Sequence, residues 1–134
     1  MKMWLCAAAL AAAGLASAPA HGAMTVMGGG MAEQCSKAAM AGKADLADQQ
    51  ACDFALANEM LTAEEQAGTY VNRGVMKLRR AEYEAAHKDF NAAIALAPRI
   101  GEAWVNRGAM WVGEKQFRAG LEDLNKGIEH LDIV

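Results

Sequence analysis

Apolar and polar positions follow the same order in two stretches of this chain, 34 residues apart. The first begins Tyr70-Val71-Asn72-Arg73-Gly74 and the second begins Trp104-Val105-Asn106-Arg107-Gly108. The register then holds through Met76/Met110, Tyr83/Phe117, Ala86/Gly120, Asp89/Asp123, Phe90/Leu124, Ala93/Gly127 and Ile94/Ile128. A period of this length without insertion predicts a helical repeat array and disfavours an enzyme core.

Each copy reads as two helices joined by a short turn. An aromatic residue opens the first helix, and alanine or glycine stands where the second helix would touch it. Tyr70 and Trp104 are expected to anchor the interior, and Pro98 ends the second helix near Ala97. Thr62, followed by Glu65, has the spacing of a capping box. We predict helices over residues 31–41, 46–61, 63–80, 83–97, 101–114 and 116–131.

The order of these residues resembles the tetratricopeptide repeat. In the first copy, seven residues fall on signature positions of that family: Tyr70, Gly74, Tyr83, Ala86, Phe90, Ala93 and Pro98. The second copy keeps the aromatic and glycine at the start but has Gly120, Leu124, Gly127 and Asp132 where the family favours Ala, an aromatic, Ala and Pro. Interior glycines cost roughly 1 kcal/mol each relative to alanine, so we expect this hairpin to be the softer one.

The predicted fold class is all-α, an antiparallel helix-hairpin solenoid. One domain covers residues 31–134, with repeats over 67–100 and 101–134. Residues 51–57 faintly echo residues 90–96, so we interpret 31–61 as a divergent hairpin that caps the array, because terminal repeats are commonly atypical.

The first 20 residues have the pattern of a cleavable signal peptide. Lys2 gives a positive start, residues 4–16 are almost continuously apolar, and Ala18-Pro19-Ala20 offers small residues for cleavage. The apolar run is too short for a membrane-spanning helix, so we expect no stable membrane insertion and a periplasmic or secreted location. Residues 21–30 read as a flexible glycine-rich linker.

Removal of the signal peptide would take Cys6 away and leave Cys35 and Cys52. The midpoint between them falls in the predicted turn of the cap hairpin, which would place both sulfurs at equal height on facing helices. We predict a disulfide between them, as suits an oxidising compartment. The alternative is a pair of buried thiols in a cytosolic protein.

Candidate catalytic chemistry is sparse. His21, His87 and His130 lie far apart in sequence, and none has a partner at metal-ligand spacing. We therefore expect no enzymatic activity, no metal and no cofactor. The net charge of −3 disfavours nucleic acid as a partner, since phosphate binding needs a concentrated basic surface.

The resemblance implies a concave groove lined by the first helix of each repeat. Asn72 and Asn106 match asparagines that clasp the backbone of an extended peptide, or they merely belong to the common repeat pattern. Arg79 is also assigned to the groove. An apolar floor would be formed by Val71, Val75, Leu78, Val105, Ala109 and Val112.

Arginine stands where the family usually has leucine. Arg73 and Arg107 each precede an aspartate by 16 residues, Asp89 and Asp123 respectively. Two interpretations follow. The arginines form an ion pair between the helices of each hairpin, or they face the groove and hold an acidic client or a C-terminal carboxylate.

Two function classes remain. The first is an interaction module that binds a peptide or an unstructured segment of another envelope protein. The second is a structural subunit that self-associates or joins a larger complex through an uncapped C-terminal repeat, because no extra solvating helix follows it.

Overall fold

The computed structural model of the protein describes residues 22–26 and 29–131. It contains six helices in these ranges: α1 (Gly30–Met40), α2 (Leu46–Asn58), α3 (Ala63–Arg79), α4 (Tyr83–Leu96), α5 (Gly101–Gly113) and α6 (Phe117–His130). The predicted signal peptide and the last three residues of the second repeat lie outside the described residues. Within the described ranges there is no strand, and no helix combines the length and hydropathy needed to cross a membrane.

The helices form three hairpins, which confirms the all-α class and the predicted helix-hairpin arrangement. α1 packs on α2, α3 on α4, and α5 on α6. The first hairpin contacts the second through α3, and the second contacts the third mainly through α4 and α5. Each hairpin therefore packs against its neighbour in the chain.

α2 ends three residues earlier than the sequence predicts. Glu59 leaves the helical conformation, with φ −90° and ψ 145°. Its carboxylate accepts hydrogen bonds from the backbone N–H of Met31 (2.5 Å) and of Ala32 (3.0 Å). These N–H groups at the start of α1 have no partner within the helix, so one residue both ends α2 and caps α1.

The predicted capping box at the start of α3 is present. Thr62 Oγ1 accepts from the N–H of Glu65 at 3.2 Å, and the Glu65 carboxylate accepts from the N–H of Thr62 at 2.8 Å. This reciprocal pair fixes the first turn of the longest helix described.

The main core lies between α3, α4 and α5. Phe90 is its largest fully buried side chain, and it packs against Gly74, where an added Cβ would lie 2.6 Å from Phe90 Cε1. Tyr70 and Trp104, which the sequence analysis placed in the interior, are only half-buried. Trp104 Nε1 donates to the Pro98 carbonyl at 2.8 Å, which keeps the edge of its ring near the surface.

Glycines bring α5 and α6 into close backbone contact. A Cβ at Gly120 would lie 2.6 Å from Val112 Cγ2, and one at Gly127 would lie 2.5 Å from Val105 Cγ2. The backbone itself is near, since the Gly108 carbonyl oxygen is 3.0 Å from the Cβ position of Gly120. Gly120 and Gly127, which stand where the first copy has alanine, thus permit closer packing of α5 on α6. This closer packing offsets part of the free-energy cost of placing glycine inside a helix.

The predicted disulfide is confirmed. Cys35 of α1 and Cys52 of α2 are bonded, with Cα atoms 4.8 Å apart, and both are fully buried. Closing a loop of 17 residues contributes about 3 kcal/mol in the chain-entropy description. It joins the two helices of the first hairpin covalently.

Candidate functional site

Residues 22–26, hereafter the extended segment, lie across the first helices of all three hairpins. Asn106 of α5, Asn72 of α3 and Ser36 of α1 hold the segment by its backbone. The sequence predicts a flexible linker over residues 21–30, of which residues 21, 27 and 28 lie outside the described residues. The segment is instead bound, because its backbone groups find partners and Val26 finds a buried position.

The two asparagines grip the segment in the same way. The N–H of Met24 donates to Asn72 Oδ1 (2.7 Å), and Asn72 Nδ2 donates to the Met24 carbonyl oxygen (2.8 Å). Gly22 makes the same pair of bonds with Asn106, at 3.1 and 2.9 Å. An amide side chain offers a donor and an acceptor together, so each asparagine binds both the N–H and the carbonyl group of one residue. These hydrogen bonds do not depend on which side chain that residue carries.

Ser36 completes the set of backbone contacts. Its Oγ donates to the Met24 carbonyl at 2.6 Å and accepts from the N–H of Val26 at 3.1 Å. The bound residues are therefore 22, 24 and 26. Hydrogen bonding to every second residue is typical of an extended chain, in which successive residues point to opposite sides.

Three side chains of the segment reach apolar surroundings. Met24 packs against the main core, and Ala23 packs against the cluster that contains the disulfide. Val26 is buried with Ala32 and Ala55. The side chain of Thr25 is exposed, so the segment buries its apolar residues and leaves the polar one in water.

The structure places the predicted groove residues in different surroundings. Asn72 and Asn106 contact the segment. Ala109 is exposed on α5. Of the residues predicted as the apolar floor, Val71, Val75 and Leu78 lie in the main core, against which Met24 of the segment also packs. Val105 and Val112 contact α6, and Val112 is 40% exposed. Successive residues of an α-helix point about 100° apart, so the valine directly before each asparagine lies on a different face of the helix from that asparagine.

Arg79 lies beside the disulfide hairpin and makes no hydrogen bond to the segment. Its Nη1 donates to the carbonyl oxygen of Ala39 at 2.7 Å, in the last turn of α1, where a cation complements the helix dipole. Partial burial lowers the pKa of Arg79 below its ordinary value.

Arg73 joins three helices. Its Nε and Nη2 donate to the two oxygens of Asp89 in α4, at 2.9 and 2.7 Å, and its Nη1 donates to Asp53 of α2 at 3.0 Å. Lys77 Nζ approaches Asp89 as well, at 2.8 Å. Burial opposes ionisation of Arg73, but the hydrogen bonds and negative charges of Asp89 and Asp53 outweigh it and raise its pKa above the ordinary value.

Arg107 repeats this arrangement one hairpin later. Its Nε and Nη2 donate to Asp123 of α6 at 2.6 and 2.9 Å, and its Nη1 donates to Asn91 of the preceding hairpin at 2.9 Å. The guanidinium lies 5.0 Å from the ring centroid of Trp104. Of the two interpretations of these arginines, the structure shows the internal ion pairs, each extended to the previous hairpin.

Two residues of the site, Ser36 and Gly68, are not indicated by the repeat pattern. Ser36 lies in the divergent hairpin, where no repeat register identifies it. Gly68 stands four residues before Asn72, and its Cβ position is 3.0 Å from Val26 Cγ2. Residues four apart share a helix face. The spacing of four residues between Gly68 and Asn72 therefore indicates that both lie on the face of α3 that contacts the segment.

The described residues contain no group of three His, Cys, Asp or Glu side chains arranged to hold a metal ion. The imidazole ring of His87 packs at a tilt of 52° against the ring of Trp111, with centroids 4.3 Å apart. Its Nε2 lies 3.6 Å from Glu114 Oε1 and is buried without a hydrogen bond.

Comparison with protein-family models, with curated proteins and with solved structures found no match to this chain. In the described part of the chain, three side chains on three consecutive hairpins bind the backbone of an extended stretch of polypeptide.

Proposed function

We propose that this protein is a non-enzymatic interaction module that binds a peptide or unstructured segment of another protein. The site is the surface around Asn72 and Asn106. One observation carries the proposal: both asparagines already hold polypeptide, each through two hydrogen bonds to one residue. A surface that binds backbone in this way accepts many client sequences.

The proposal includes membership of the tetratricopeptide repeat family and export from the cytoplasm. The 34-residue register and the three hairpins support the first. The buried disulfide supports the second, because disulfides persist in oxidising compartments. The client is then a protein of the cell envelope or the exterior.

A client has to displace the extended segment. A ligand tethered by a short linker has an effective concentration of about a millimolar. The segment therefore masks the site against weak partners. A binding assay needs a form of the full chain in which the segment is released.

The test uses the full chain with Val26→Glu, because a buried glutamate without a cationic partner expels the segment. The probe is the capped, fluorescently labelled peptide Gly-Ala-Met-Thr-Val. We expect saturable binding by fluorescence anisotropy. Asn72→Ala with Asn106→Ala removes four hydrogen bonds at about 0.5–1.5 kcal/mol each, so the affinity falls at least about tenfold.

The matched control replaces two exposed asparagines, Asn58→Ala with Asn125→Ala, and leaves the affinity unchanged. Thr25→Glu adds the same charge at an exposed neighbour of Val26 and leaves the segment bound. Equal affinity in both double asparagine variants, or failure of the peptide to bind, contradicts the proposal.

A second candidate function is a structural subunit that pairs with another copy through α6. Ile94 of α4 packs against the core next to α5, whereas Ile128, one repeat period later, is 58% exposed. Phe117 and Leu121 are exposed on the same helix, and spacings of four and seven residues place all three on one face. This stripe matches itself in a second copy by two-fold symmetry.

For this candidate we expect a concentration-dependent dimer that Ile128→Asp abolishes. The side chain of Ile128 is already exposed, so the fold tolerates the change, while a charge in an apolar interface opposes association. Sedimentation equilibrium gives the mass, and Asn125→Asp, an exposed polar position of α6, is the control. A monomer at all concentrations excludes this function.

A further inference from the structure

We infer that the site selects clients by one apolar side chain, a small β-branched residue at the place of Val26. The ligand class is an extended segment of five residues, in which backbone contacts hold the first, third and fifth, and a subsite beside Gly68 encloses the side chain of the fifth. This inference rests on the proposed function and adds a sequence preference to it.

The backbone contacts alone do not select. Asn72, Asn106 and Ser36 bind N–H and carbonyl groups that every residue except proline carries. Selection requires a side chain that is enclosed by the protein. Within the segment, Val26 fits that description best, with 4% of its surface exposed, while Ala23 and Met24 are half-buried and Gly22 and Thr25 are exposed.

Gly68 shapes the subsite of Val26. A Cβ at this position would lie 3.0 Å from Val26 Cγ2 and 3.9 Å from Met24 Cβ. The first distance is closer than carbon atoms normally approach, so even alanine at position 68 narrows the space for a branched side chain. Ala32 and Ala55 are small as well and line the same cluster.

The two copies of the repeat differ at the position of Gly68, so the subsite is present in one copy and not in the other. The residue one period after Gly68 is Glu102, so the two equivalent asparagines have unlike neighbours on the preceding turn. The glycine that adjoins Val26 in α3 therefore has no counterpart in α5. This difference, with the bonds of Ser36 to residues 24 and 26, fixes the register of the bound chain.

Charge reinforces the preference. A cavity of about 200 Å³ adjoins Val26, and both ionisable side chains that line it, Glu59 and Glu65, are acidic. Glu59 is already engaged by the N–H groups at the start of α1. An acidic residue at the fifth position meets like charge and no cation, so the subsite rejects it.

The test titrates three capped peptides into the full chain carrying Val26→Glu. They are Gly-Ala-Met-Thr-Val, Gly-Ala-Met-Thr-Ala and Gly-Ala-Met-Thr-Asp. We expect the alanine peptide to bind about fivefold more weakly than the valine peptide, and the aspartate peptide more than thirtyfold more weakly. Adding Gly68→Ala weakens the valine peptide about tenfold and leaves the alanine peptide nearly unchanged. Glu102→Ala, at the equivalent position one repeat period later, is the control, and we expect it to change the affinities of all three peptides by the same factor.

Amide hydrogen exchange in the full chain without the Val26→Glu change gives a second readout. Gly68→Ala should raise the exchange rate at residue 26, and Val26→Ala in the same chain should restore protection, because the smaller side chain again fits. Peptides that bind equally whatever their fifth residue overturn this inference and leave the proposed function standing. Absence of binding by every peptide overturns both, and unchanged exchange in Gly68→Ala overturns the subsite.

Discussion

Asp89→Ala is expected to lower the free energy of unfolding by about 3–5 kcal/mol. The carboxylate is 4% exposed and accepts from Arg73 through two bonds and from Lys77 through a third. Its removal leaves two cations partly buried without their partner, and uncompensated buried charge is among the costliest of single changes. Arg73 retains only Asp53 of the preceding hairpin.

The repeat supplies a matched control for this experiment. Asp123→Ala removes the equivalent carboxylate, which binds Arg107 and has no lysine beside it, because Trp111 stands at the position that corresponds to Lys77. We expect a loss about 1 kcal/mol smaller. Urea unfolding followed by circular dichroism measures both. Equal losses, or a loss for Asp89→Ala below that of an ordinary surface substitution, contradict the role given to the three-charge cluster.

Phe90→Ala is expected to cost about 3–5 kcal/mol of unfolding free energy. Phe90 is fully buried, and its ring lies against Gly74 of the facing helix. No side chain at position 74 can move into the space that the ring leaves. The cavity therefore persists, which adds to the lost transfer free energy.

Phe54→Ala is the control for this second variant, because the same atoms are removed from a side chain that is 51% exposed in α2. We expect a change below about 1 kcal/mol there. Thermal unfolding by calorimetry compares the two variants with the unchanged chain. Similar midpoints for both would show that the α3 and α4 interface does not depend on this ring.

Sequence periodicity predicted most of the helical framework. Helix starts at Leu46, Ala63, Tyr83 and Gly101 agree with the structure, since capping residues, prolines and apolar spacing act over a few neighbouring residues. The disulfide was predictable for a related reason: two cysteines placed symmetrically about a turn face each other in any antiparallel hairpin.

The bound segment could not be predicted in this way. Its contacts join residues 48 and 84 positions apart in the chain, and no local pattern relates Gly22 to Asn106. The glycines near it favour a free linker when only neighbouring residues are considered. Its buried partners, Ser36 and Gly68, come together with Val26 only after the hairpins have packed.

The amino-acid order by itself determined the six helices, their pairing into hairpins, and the repeated arginine and aspartate positions, because these depend on interactions within one or two helical turns or across one short turn. Only the tertiary structure decided that Asn72 and Asn106 hold residues 22–26, and that the neighbouring valines face inward. The physical reason is that a groove exists only once α1, α3 and α5 lie side by side, and its occupant is chosen by contacts between distant parts of the chain.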